Sequence, residues 1–218
     1  MRYESERIRI VNICRELAQR EYFLGTWGNV SVRVPDGILL TPSRVEYDSM
    51  TPEDIVLISL EGEVLEGTRT PTSEKEVHRR ILVRRPDLGA VIHAHTEAAM
   101  AVSVLSIDVV PCLVEEMSQL LGGEIPLTKQ YVPAEQHEQL GIAAAAAIED
   151  KSAVLLRNHG PVCAGRTLEE AFLTAQVTEK ACSIYLRAAA AGCLQPIDQE
   201  YAQSERYRYL YKYGKEKT

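Results

Sequence analysis

The chain has 218 residues, 45% hydrophobic and 25% charged, with a formal net charge of −7. This length suits one domain and can bury a sizeable core without staples, and the acidic balance argues against a nucleic-acid partner. The start MRYESERIRIVNICREL lacks the apolar segment of a secretory leader, and no apolar run approaches the roughly 20 residues of a membrane span, so neither is expected.

Residues 4–21 carry Ile8, Ile10, Val11, Cys14, Leu17 and Ala18 as an apolar stripe, which predicts a helix ended by Gly25. Val30, Val32 and Val34 alternate with Ser31 and Arg33, the period of a half-buried strand, and Asp36-Gly37 turns it into Ile38–Leu40. Residues 55–58 and 63–65 flank Glu61-Gly62 as a second hairpin. A helix is predicted over 74–85, with Ser73 and Glu76 in capping-box spacing. Residues 90–94 read as a strand and 96–105 as a short helix. An alanine-rich helix follows over 135–149, then strands over 153–156 and 161–164, and a long helix over 167–191. After Pro196 the sequence is polar and rich in tyrosine. Hairpins early and alternating strands and helices later predict a mixed or antiparallel sheet covered by helices. The five cysteines form no C-x-x-C pair, which predicts core thiols in a reducing cytoplasm.

Only five histidines occur, and His93 and His95 stand one residue apart at the end of an apolar run. In a strand, residues two apart point to one face, with Cα atoms roughly 6.6 Å apart, so both imidazoles could reach one ion. His159 sits at another strand end, before Gly160-Pro161, while His78 and His137 lie among charged helical neighbours and read as solvated surface. Three nitrogens with an open fourth position is the layout of a catalytic zinc site. Separately hydrogen-bonded histidines near a sheet edge fit the same spacing. Gly25-Thr26-Trp27-Gly28-Asn29 before a strand and Thr72-Ser73-Glu74 at a helix start could form an anion site, or simply a turn and a capped helix. Trp27, the only tryptophan, lies inside this loop and reads as a packing residue, with a place in the pocket wall as the alternative.

G-T-x-G-N-x-S-x-R, T-P-S, T-S-E, H-A-H and N-H-G occur in this order in one chain at plausible spacings. On these motifs the sequence, from residue 7 to about 213, resembles the zinc-dependent class II aldolase/adducin family. The resemblance implies a single domain over 1–218, a three-layer α/β/α sandwich around a largely antiparallel sheet, with the tail of about 197–218 at a subunit interface. It implies a homotetramer with active sites between subunits and one Zn2+ per subunit, held by His93, His95 and His159, with Glu74 as acid/base carboxylate and occasional ligand. Thr26, Gly28, Asn29, Ser43, Arg44, Thr72 and Ser73 match phosphate-binding positions. Tyr213 matches a tyrosine offered to a neighbouring subunit, and Glu116 stands where fuculose-phosphate aldolases carry a tyrosine proton donor. Arg44 replaces a glycine common in relatives. The activity implied is cleavage of a ketose 1-phosphate, such as L-fuculose 1-phosphate or a 5-deoxypentulose phosphate, through a metal-stabilised enediolate. The same superfamily holds methylthioribulose-1-phosphate dehydratases, 4-epimerases and sugar-acid phosphate decarboxylases, and a non-catalytic adducin-like module is the rival of another class. Such a module is recognised by lost ligands, which this sequence keeps.

Overall fold

In the computed structural model, which describes residues 1–213, the apolar alternation resolves into one sheet with two covered faces. The strands are β1 (Asn29–Val34), β2 (Gly37–Leu40), β3 (Val56–Ile58), β4 (Val64–Glu66), β5 (Ala90–His93), β8 (Ala153–Leu156) and β9 (Gly160–Gly165). Their order is β4-β3-β2-β1-β5-β9-β8, and every pairing is antiparallel. β6 (Val109–Val110) and β7 (Ile125–Pro126) form a separate ribbon. The helices are α1 (Glu4–Gln19), α2 (Lys75–Arg84), α3 (Glu97–Ser103), α4 (His137–Ile148), α5 (Leu168–Ala191) and α6 (Gln199–Tyr211).

The period of two along each strand sorts the core into layers. Ile38, Leu40, Val56, Ile58, Val91, Val154 and Leu156 face one cluster with Val77, Ile81 and Leu82 of α2 and Leu140, Ala144 and Ile148 of α4. Their strand neighbours Leu39, Leu57, Ala90 and Ile92 face the opposite way, against Ile10, Cys14 and Leu17 of α1 and Ala171 of α5. Ala153, Leu155 and Cys163 extend that second face toward α3 and α5. The α/β/α sandwich with an antiparallel sheet is therefore what the pattern and the resemblance imply.

Three local readings are corrected. The Ser73–Glu76 capping box is not made: Glu74 is the N-cap of α2, and Glu76 pairs instead with Arg79 and Arg80. Residues 117–121 form a π-helical turn and 199–211 a helix, neither of which the sequence pattern announced. The third concerns His78, which is wholly buried rather than solvated, because Val77, His78, Ile81 and Leu82 make the inner stripe of α2. Cys14, Cys112, Cys163 and Cys182 are buried free thiols, and Cys193 is exposed. Within the described residues no helix is long and apolar enough to cross a membrane. Residues 214–218, the end of the expected interface tail, lie outside the described part.

Candidate active site and metal centre

The site forms where β1, β5 and β9 end together. Antiparallel register sets Asn29 opposite His93 and His93 opposite Val162. His95 lies just past β5, where its backbone N–H donates to the Tyr22 carbonyl at 3.1 Å. His159 closes the three-residue turn between Leu156 and Gly160, with Asn158 in the left-handed region (φ 56°), which asparagine tolerates. Arg157 anchors that turn by donating to the carbonyls of Leu105, Ile107 and Thr128. Gly160 is required by contact: a Cβ there would lie 2.5 Å from the Ala94 carbonyl oxygen, so any side chain would push β9 off β5.

The three imidazoles converge. Ring centroids are 4.8 to 5.1 Å apart, and one nitrogen from each falls within 4.8 Å of the others. His93 Nδ1–H donates to the Pro161 carbonyl at 3.0 Å, which turns the Nε2 lone pair toward His95 Nε2, 3.2 Å away. Glu74 joins them, with Oε2 3.4 Å from His93 Nε2 and Oε1 3.3 Å from His159 Nε2. Burial, together with His93, pushes His95 down to about 3 and His159 down to about 4, so both rings are neutral lone-pair donors at neutral pH. Burial also works to raise Glu74, but the adjacent imidazoles and the Asn29 amide outweigh it and hold the carboxyl at about 2. Neutral nitrogens beside an anionic oxygen are a donor set that fits a divalent cation such as zinc.

Beside this cluster opens a cavity of about 450 Å³. Its lining includes Thr26, Gly28, Asn29, Ser43, Arg44, Thr72 and Ser73, together with Glu74, His95 and His159. All seven residues matched to phosphate binding thus border the same space as the histidines. Their loops are braced from below. Tyr47 Oη–H donates to the Gly28 carbonyl at 2.6 Å, Phe23 packs on Tyr47, and Thr41 Oγ1 accepts from the Val30 N–H. A Cβ on Gly28 would meet the Phe23 ring at 2.2 Å. Arg44 holds a left-handed backbone (φ 60°) at the rim, and among the described residues its guanidinium has no ion pair.

Other expectations part company with this picture. Trp27 is not a packing residue: it is 66% exposed, borders the cavity and lies 6.2 Å from the His95 ring. Phe23, not Trp27, fills the space under the loop. Glu116 does not border the cavity within this chain and instead pairs with Lys180 at 2.9 Å. Tyr213 is 64% exposed beyond α6, beside Tyr209 and Arg208, also away from the cavity of its own chain. Tyr209 is half-buried against its own chain, whereas Tyr201, Tyr207 and Tyr211 are exposed. Ala134 borders the cavity with no prior signal. A second cavity of about 480 Å³ lies under α6, where Lys151 and Arg206 spend donors on the carbonyls of Gly122, Gln119 and Leu120.

Known proteins share this fold. A family model described as the class II aldolase and adducin N-terminal domain matches residues 8–186. The chain is 34% identical over 177 residues to an L-fuculose phosphate aldolase of Methanocaldococcus jannaschii, covering 81% of this chain and 93% of that one. It is 36% identical over 191 residues to a 5-methylthioribulose-1-phosphate/5-deoxyribulose-1-phosphate aldolase of Rhodospirillum rubrum, covering 88% and 82%. A solved L-fuculose 1-phosphate aldolase superposes with a TM-score of 0.89 at 27% identity, over 94% of this chain and 96% of that one. With most of its length matched in sequence and nearly all of it in fold, this chain belongs to the class II aldolase and adducin family.

Proposed function

We propose that this protein is a cytoplasmic, zinc-dependent aldolase that cleaves a ketose 1-phosphate to dihydroxyacetone phosphate and a short aldehyde. The observation that carries the reading is the meeting of three imidazoles and Glu74 at the wall of a cavity whose other walls are hydroxyl- and amide-bearing loops. Relatives named as aldolases of L-fuculose phosphate and 5-deoxyribulose 1-phosphate support the reaction class.

His93, His95 and His159 would hold the cation, with Glu74 as a further ligand when substrate is absent. When bound, the cation supplies Lewis acidity at the substrate carbonyl, worth several kcal/mol of charge stabilisation. Ser43, Arg44, Thr72, Ser73 and the loop Thr26–Asn29 receive the phosphate, aided by the N-terminus of α2, where partial positive charge favours an anion. Phosphate binding far from the reacting bond fixes the substrate against Glu74. In the condensation direction the ionised Glu74 takes the proton from the carbon beside the carbonyl, and in cleavage it returns that proton to the same carbon. A second group receives the hydroxyl proton as the carbon–carbon bond breaks. In the condensation direction the same group donates that proton to the aldehyde oxygen, a role for Tyr213 of a neighbouring subunit in a homotetramer or for Glu116.

The test is a panel of L-fuculose 1-phosphate, 5-deoxy-D-ribulose 1-phosphate and 5-methylthioribulose 1-phosphate, given to zinc-loaded protein with release of dihydroxyacetone phosphate followed by a coupled reductase. Release from at least one is expected. No release from any of them, with zinc bound one per chain, overturns the reading, and NMR of the products then separates dehydration, epimerisation and decarboxylation.

A further inference from the structure

Beneath the cavity, Glu74 ends a hydrogen-bonded chain that starts in the core. Ser31 Oγ lies 2.8 Å from His78 Nδ1, His78 Nε2 meets Asn29 Oδ1, and Asn29 Nδ2 donates to Glu74 Oε2 at 2.8 Å. Ser31 and His78 are wholly buried, and Asn29 and Glu74 nearly so. Two periodicities build it. Asn29 and Ser31 are two apart on β1 and share a face, and Glu74, the N-cap of α2, is four residues before His78 on the same side of that helix.

Chemistry fixes the direction of every bond. An ionised carboxylate only accepts, so the Asn29 amide turns its NH2 to Glu74 and its oxygen to His78. An amide oxygen only accepts, so His78 carries its proton on Nε2. A neutral imidazole has one such proton, which leaves Nδ1 to accept from the Ser31 hydroxyl. Burial keeps His78 neutral, pushing it down to about 3. Three aligned bonds in a low-dielectric interior reinforce one another and point their positive ends at Glu74.

We propose that His78 is a positioning residue that locks the Asn29 amide so that it donates to Glu74 and holds that carboxylate against His93 and His159. His78 does not border the cavity, and its hydrogen-bonded path to Glu74 runs through Asn29. Without it, Asn29 Oδ1 has no donor and the amide is free to turn over, setting oxygen against carboxylate. The inference rests on the proposed role of Glu74 as acid/base and ligand.

Histidine-selective 1H–15N NMR on metal-free protein tests the chain first. One ring, lost in H78Q, is expected as the Nε2–H tautomer with an exchange-protected proton. An Nδ1–H tautomer, or a doubly protonated ring at pH 7, overturns the proposal. Competition for Zn2+ against a chromophoric chelator is next. H78L is expected to bind 10- to 100-fold more weakly than wild type, about the cost of losing a partner behind a metal ligand. H78Q, whose amide can still donate to Asn29, should stay within about threefold. Equal Zn2+ affinity in H78L and wild type overturns it. On any ketose 1-phosphate the wild type cleaves, H78L should lower kcat by a similar factor with KM within about twofold, and a loss confined to KM overturns it. If H78L does not fold, Ser31→Ala replaces it, with about three- to tenfold weaker Zn2+ binding expected and wild-type binding as the overturning result. If the wild type cleaves nothing in the panel, the aldolase reading fails, while the tautomer and the Zn2+ affinities still decide this one.

Discussion

A histidine with no exposed surface must be neutral to stay there, and this sets a pH dependence at His78. Its unfolded value is about 6.5 and its folded value is pushed down to about 3. Between these values the unfolded chain binds a proton that the folded chain does not, so stability is complete above about pH 6.5 and falls as pH drops through the window. His95 and His159 act with the same sign in metal-free protein, and Glu74 adds its share only below its unfolded value of about 4.5. Urea unfolding of metal-free protein between pH 5 and 6 should therefore lose stability with falling pH. H78Q should flatten that slope by about 1.4 kcal/mol per pH unit, the contribution of one group, and an unchanged slope would show that His78 titrates normally. The signal for its burial was present in the sequence: Val77, His78, Ile81 and Leu82 repeat at helical spacing. The charges of Glu76, Arg79 and Arg80 hid it, because they belong to the outer face of the same helix.

At the scale of elements, the histidine cluster depends on how closely β9 approaches β5. Gly160 lets the two backbones meet beside His93, and a methyl there would collide with the Ala94 carbonyl. Gly160→Ala should cost about 1–3 kcal/mol by forcing a backbone shift, with the melting temperature lowered by about 2–9 °C. The shift should also cut zinc stoichiometry measured by elemental analysis, because His159 is the adjacent residue. A variant with full zinc and wild-type melting would show that the close approach is dispensable. His95 is steadied differently. Glu179 on α5 accepts from the N–H groups of Ala98 and Ala99 at 2.8 and 2.9 Å, clamping the start of α3 just after His95. That contact joins residues 80 and more apart in the chain, so no local pattern announces it.

For the whole molecule, Tyr213 stands exposed just past the end of α6, away from the cavity of its own chain. If active sites lie between subunits, sedimentation should give four times the 24.3 kDa chain mass. Tyr213→Phe should then lower kcat by about 10²-fold or more, at the low end for loss of an acid/base group, without altering that mass. A monomer with full aldolase activity would remove Tyr213 from the mechanism. The sequence by itself determined most of the elements, the two-faced sheet and the histidines and loops that surround the cavity. It could do so because apolar period, turn residues and motif order are local properties of the chain. Only the tertiary structure decided that His78 is core, that Trp27 stands free beside His95 and that Glu116 is tied to Lys180. It also set Asn29 opposite His93. These depend on strand register and on which helix face meets the sheet, and burial and pairing energies between distant residues choose both.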